Sequence, residues 1–139
     1  MLREILDAQS VVVIGASRDQ EKSGAQLLNV LKEVGFQVRI AGVNPQGGEV
    51  FGMLLYQSMQ TWPFDVDLAV LLIPSKFVPR ALRDSAHKGV KSVVISAKGF
   101  AETGTQGAQY QEDVRMILKS SGMRGLFLLP MRIRKPINP

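Results

Sequence analysis

The sequence predicts a single α/β domain, a doubly wound parallel sheet with helices packed on both of its faces. Three observations predict it. Continuous apolar, β-branched runs recur along the chain, at Val11–Ile14, Leu68–Ile73 and Ser92–Ile95, and a run without alternation is the pattern of a strand buried on both faces. Segments with helical spacing of apolar residues stand between those runs, which makes βαβ units and hence parallel pairing. The length of 139 residues suits one domain with one core.

Taken in order, Val11-Val12-Val13-Ile14 is the first strand, closed by Gly15. A polar stretch from Ala16 to Ser23 follows, then a helix whose apolar stripe is Leu27, Leu28, Val30, Leu31 and Val34, with Gly35 placed to stop it. Gln37 to Val43 is the second strand, ended by Asn44-Pro45. Gln46 to Asp67 is the one irregular stretch, with a short helix near Gln57–Thr61. Leu68–Ile73 is the third strand, ended by Pro74. Lys76 to His87 is helical, with Phe77, Val78, Ala81, Leu82 and Ala86 on its inner side and Gly89 as the stop. Ser92–Ile95 is the fourth strand, Gln106 to Ser121 a helix with Tyr110, Val114, Ile117 and Leu118 as its stripe, and Leu126–Leu129 a fifth strand. Right-handed crossovers then restrict the topology to a Rossmann-like sheet.

Composition narrows the function. With 45% hydrophobic, 21% charged and 6% aromatic residues, the chain is neither a disordered nor a collagen-like sequence. It has no cysteine, which excludes thiol catalysis, Cys-ligated zinc, iron–sulfur clusters and a disulfide scaffold. The single histidine, His87, excludes chemistry that needs two imidazoles, and its place near a helix end fits a surface or capping role. The net charge of +5 is uneven: residues 1–113 carry 11 Lys/Arg against 12 Asp/Glu, whereas the remaining 26 residues carry six cations and no acid. A basic end on a near-neutral body with few aromatic residues disfavours a nucleic-acid face. No signal peptide or run approaching ~20 apolar residues is visible, so the expectation is a cytoplasmic protein without a membrane partner.

In a doubly wound sheet, ligands bind beyond the carboxyl ends of the strands, near the point where strand order reverses. The loops to examine therefore follow Ile14, Val43, Ile73 and Ile95. The first, Gly15-Ala16-Ser17 through Ser23-Gly24, has small residues that let the backbone approach a ligand, and free N–H groups at a helix start suit a phosphate. A plain βα turn has the same composition. Gly-x-Gly-x-x-Gly would need glycine at position 17, where Ser17 stands, and the second strand ends Val43-Asn44-Pro45-Gln46 with no acid before Glu49. NAD needs an acid there and NADP an arginine, so nicotinamide binding is disfavoured.

Five motifs in register resemble one family. Val-Ile-Gly-Ala-Ser-Arg-Asp at 13–19, Val-Asn-Pro at 43–45, Val-Asp-Leu-Ala-Val at 66–70, Ile-Pro at 73–74 and Val-Ile-Ser-Ala-Lys-Gly-Phe-Ala-Glu-Thr-Gly at 94–104 are similar to the CoA-binding domain of the NDP-forming acyl-CoA synthetases and the succinyl-CoA synthetase alpha subunit. The resemblance covers roughly residues 1–124 as a CoA-binding domain and leaves 125–139 as a last strand and an atypical basic tail. It implies coenzyme A as ligand. Its phosphates would lie at Gly15, Ala16, Ser17, Arg18, Lys22 and Ser23, its adenosine beside Val43, Asn44 and Pro45. Ile73, Pro74 and Phe77 would form an apolar wall, and Ile95, Ser96 and Ala97 would offer backbone to the pantetheine arm.

The resemblance also implies limits. Those synthetases pass a phosphoryl group through a histidine in a separate ligase domain, for which this sequence has no counterpart, and His87 stands in the wrong segment. With no paired carboxylates, nucleophile–base set or Walker loop either, the chain alone is expected to bind CoA rather than catalyse, with a ligase domain or subunit as partner. A homodimer is compatible with the edge strand such a sheet leaves. Three departures stand out: Gln46 where relatives place a lysine, the extra Lys98, and an end without the usual Gly-Pro-Asn turn. The rival readings are a generic NAD-type nucleotide domain and an interaction module that has lost its ligand.

Overall fold

The computed structural model describes residues 7–33, 39–96 and 104–127. Seven strands form one sheet: β1 (Ser10–Ile14), β2 (Arg39–Val43), β3 (Glu49–Val50), β4 (Met53–Tyr56), β5 (Leu68–Leu71), β6 (Ser92–Ile95) and β7 (Arg124–Phe127). Among the described residues, three α-helices accompany them, α1 (Ser23–Glu33), α2 (Val78–Lys88) and α3 (Thr105–Ser121), with short 3₁₀ turns at Met59–Thr61 and Ser75–Phe77. The strand order is β3-β4-β2-β1-β5-β6-β7. All pairings are parallel except β3 with β4.

The register explains how two cores form. β1 pairs with β2 through Val12 opposite Ala41, and with β5 through Val12 opposite Ala69. Successive residues point to opposite faces. Val12, Ala41, Ala69 and Val93 therefore pack with Val78 and Leu82 of α2 and Val114 of α3 in the larger core. Val13 packs on the other face with Ala25 and Leu28 of α1, and Val11 with Leu68 and Val94. This is why β1 reads as an unbroken apolar run. Leu82 is fully buried at the centre of the larger core, so Leu82→Ala is expected to cost about 2–5 kcal/mol. Urea denaturation checks this as a lower midpoint at unchanged slope.

The structure corrects several expectations. The irregular stretch after Gln46 contains β3 and β4, which extend the sheet to seven strands instead of five. Their brevity hid them, since two and four residues are too few to show a period. The short helix near Gln57–Thr61 is present as the 3₁₀ turn at Met59–Thr61. The third strand stops at Leu71; Leu72 still donates its N–H to the Ile14 carbonyl, and the Leu72 carbonyl and Ile73 lie against Gly15 of the first loop. Its helix begins at Val78, and Phe77, expected on the inner stripe, is 52% exposed in the preceding turn. Val30, assigned to the stripe of α1, is 55% exposed. The last strand begins at Arg124 and sits beneath α3, where Gly125 leaves room for Leu118; a Cβ there would meet Leu118 Cδ1 at 2.6 Å. Val34, Gly35, Gln37, Val38, Ala97, Lys98, Leu128, Leu129 and the tail lie outside the described residues.

Candidate functional site

β2 lies on one side of β1 and β5 on the other, so the chain leaves β1 and β5 towards opposite faces. That reversal opens a crevice at their carboxyl ends. The loops expected to matter converge there. Gly15 adopts a left-handed φ of +98°, and a Cβ on it would overlap the Leu72 carbonyl oxygen and approach Ile73 Cγ2 to 2.9 Å. The first and third loops thus touch backbone to backbone at a residue that only glycine fits. Leu72 N–H donates to the Ile14 carbonyl at 2.8 Å, and Ser96 N–H to the Leu71 carbonyl at 2.9 Å, so the β1, β5 and β6 ends are laced together.

From Ser17 to Lys22 the chain makes two nested turns. Ser17 Oγ accepts the Asp19 N–H at 3.0 Å, and Asp19 Oδ1 accepts the Glu21 N–H at 2.9 Å. The Lys22 carbonyl accepts the Gln26 N–H at 3.0 Å, which makes it the first helical acceptor of α1. Helices leave their first N–H groups without intrahelical partners, and this end of α1 carries no acidic side chain in its first turn. Gly24 seats that end against the loop: a Cβ would overlap the Gly15 carbonyl oxygen and lie 3.0 Å from Ala16 Cα. Ala16 is buried and Ser17 half-buried, while Arg18, Lys22 and Ser23 are exposed. Asp19 and Glu21 flank the two cations.

The second loop is tied to the first. Asn44 Nδ2 donates to the Ala16 carbonyl at 3.0 Å, its Oδ1 accepts the Gln46 N–H at 2.8 Å, and Gly15 N–H donates to the Val43 carbonyl at 3.2 Å. Arg18 reaches across, with Nη2 donating to Gln46 Oε1 at 2.8 Å. The end of β2 has no arginine in the sequence and receives one in space, which revises the expectation that none stands there. The contact of Gly48 with the Arg18 stem is the feature that the sequence did not reveal; the Gly47-Gly48 pair was the available signal.

Val43 and Ile95 point into the core and offer only backbone, and Ser96, which follows Ile95, is half-buried. Ile73 is half-buried and Pro74 exposed at the lip, where Phe77 stands out with Lys76 Nζ 5.0 Å from its ring centroid. Ala97 lies outside the described residues. At the opposite end of the sheet, Gln9, Ser10, Arg39, Phe64, Asp65 and Asp67 line a groove of ≈ 320 Å³. It opens at the amino ends of the strands, away from the switch point. Among the described residues, no group of three His, Cys, Asp or Glu could hold a metal, and no helix is long and apolar enough to cross a membrane.

Comparison with known proteins agrees with this geometry. The model of the CoA binding domain family matches residues 9–127. Acetate–CoA ligase [ADP-forming] II of Archaeoglobus fulgidus is 39% identical over 123 residues, covering 88% of this chain and 18% of that protein. Acetate–CoA ligase [ADP-forming] II subunit alpha of Pyrococcus furiosus is 38% identical over 125 residues, covering 89% of this chain and 27% of that protein. A solved structure of acetyl-coenzyme A synthetase 1 of Ca. Korarchaeum cryptofilum, in complex with phosphate and ADP, superposes with a TM-score of 0.82 at 32% identity, covering 91% of this chain and 27% of that one. The chain thus spans less than a third of the length of these relatives.

Proposed function

Because the chain belongs to the CoA binding domain family, we propose that it holds coenzyme A in the crevice between β1 and β5. The phosphates lie at Gly15, Ala16 and Ser17 before the start of α1, with Arg18, Lys22 and Ser23 around them. The adenosine rests beside Val43, Asn44 and Pro45. The pantetheine arm follows Ile73, Pro74 and Phe77 and passes the backbone of Ile95, Ser96 and Ala97. The observation that carries this reading is the contact of Gly15 with Leu72 and Ile73. With Gly24 seated on Gly15 and Ala16, it brings the acid-free end of α1 to the switch point, where free N–H groups and the positive dipole end favour an anion.

The larger reaction is proposed from the relatives. A domain of this kind presents the CoA thiol to a ligase part on the same or another chain, and that part activates the acyl group as a phosphate. These residues contribute recognition and leave catalysis to the partner, since the described crevice brings together no nucleophile with a base. An ADP-forming acid–thiol ligase operating in the cytoplasm is the corresponding whole.

Calorimetric titration of the chain with CoA, run beside NAD, NADP and ADP, tests the reading. Saturable binding of CoA well above the others supports it; silence across the panel from a folded protein overturns it. Phe77 is exposed at the lip, so Phe77→Ala is expected to weaken CoA roughly tenfold through lost apolar contact with the arm. The melting temperature should hold, because no core contact is lost. Unchanged CoA affinity would remove Phe77 from the wall.

A further inference from the structure

We infer that the groove at the amino ends of the strands is a second binding site, for a free α-amino acid with an apolar side chain, its carboxylate on Arg39 and its ammonium on Asp65. The groove opens at the opposite end of the sheet from the crevice between β1 and β5, and the inference does not rest on what that crevice holds. Its volume of ≈ 320 Å³ lies at the small end of ligand sites and equals about ten waters' share of liquid volume. That suits a small metabolite. The charges lining the groove sort into one already neutralised and two left open. Asp67 Oδ2 accepts the Gln9 N–H at 2.8 Å, and its Oδ1 pairs with Lys91 Nζ at 3.3 Å. Arg39 and Asp65 are both exposed in the same groove, yet among the described residues neither forms an ion pair with the other or with any third charge. A lone anion on Arg39 would be repelled by Asp65, and a lone cation on Asp65 by Arg39. A zwitterion satisfies both.

The cation is held in place before any ligand arrives. The guanidinium carbon of Arg39 lies 4.2 Å from the centroid of the Phe64 ring. Phe64 in turn stands edge-on to the buried Trp62, with 5.4 Å between ring centroids. Stacking occupies the flat face of a guanidinium and leaves its N–H groups in the plane, the edge that grips a carboxylate in bidentate fashion. Fixing a flexible side chain in advance removes part of the ordering cost of binding. Ser10 adds a neutral donor. It is only 6% exposed and lines the groove, and its Oγ accepts the Asp67 N–H at 2.8 Å. Among the described residues no acceptor takes its own O–H. A buried donor without an acceptor is costly, and a ligand carboxylate would supply one. Pro63 and the exposed flank of Phe64 form a short apolar wall, which is why the side chain of the ligand is apolar.

Calorimetric titration of the full chain with L-leucine tests this, beside 4-methylpentanoate, which is leucine without its amino group, and isoamylamine, which is leucine without its carboxyl group. Leucine should bind saturably and roughly tenfold tighter than either analogue, the size of one charge-assisted contact. Arg39→Gln should weaken leucine roughly tenfold and leave isoamylamine unchanged, since that probe has no carboxylate to lose. Asp65→Asn should weaken leucine by a similar factor and leave 4-methylpentanoate no weaker. Both side chains are exposed, so both variants should keep the melting temperature of the original. Equal losses for all three probes in either variant would make that residue a mere part of the groove wall, and overturn the inference. Equal affinity of the unmodified protein for the three probes overturns it, as does a folded protein that fails to bind leucine.

Discussion

Ser17→Glu is expected to abolish coenzyme A binding while the fold persists. Ser17 is half-buried on the first loop, at the mouth of the crevice, and its Oγ accepts only the local Asp19 N–H. A glutamate there would set a carboxylate against the phosphates that the end of α1 attracts. Two unit charges about 4 Å apart repel by about 4 kcal/mol at an effective dielectric of 20, which is about a thousandfold in affinity. Screening reduces this, so a loss of two to three orders of magnitude is the expected range in moderate salt. Ser17→Gln separates charge from bulk, since it has the same length and shape. Calorimetry should show the glutamine variant binding far better than the glutamate variant, with the gap narrowing as salt rises. Equal affinities for the two variants would place the phosphates elsewhere.

A large loss of stability is expected from Gly15→Ala. Two costs combine at this residue. Its φ of +98° is one that alanine adopts only with strain, of order 1–3 kcal/mol. Its added Cβ would also overlap the Leu72 carbonyl oxygen, an atom that can yield only by moving the β5 end. Overpacking of this kind adds about 1–3 kcal/mol. The sum, about 3 kcal/mol or more, corresponds to a fall in melting temperature of roughly 10 °C for a chain of this length. Differential scanning calorimetry measures it directly. CoA binding should fall as well, because the shift opens the crevice. A melting temperature within a degree or two of the original would mean that the first and third loops do not pack as described.

These two predictions rest on different kinds of information. The make-up of the first loop was legible in the chain, because a strand ending in Gly15-Ala16-Ser17 before a helix leaves small residues and free N–H groups at the carboxyl end of the sheet. The alternation of buried strands and amphipathic helices was legible for the same local reason: Val12 and Val13 are both apolar because helices cover both faces. The lack of a cation in Asn44-Pro45-Gln46 was also visible in the chain.

What sequence could not convey is that a cation from the first loop reaches this segment. Arg18 and Gln46 are 28 positions apart and meet only because β1 and β2 pair in parallel, with Ile14 opposite Val43, so that their following loops emerge side by side. Local patterning carries no information about that adjacency. The same holds for β3 and β4, whose pairing depends on the edge that β2 offers, and for Phe77, whose apolar character placed it in the core until the 3₁₀ turn at Ser75–Phe77 rotated it out. Period and composition are properties of neighbours along the chain, and they determined the elements and the small-residue loop after β1. Register and turn geometry bring distant residues into contact, and they alone decided which side chains stand beside that loop.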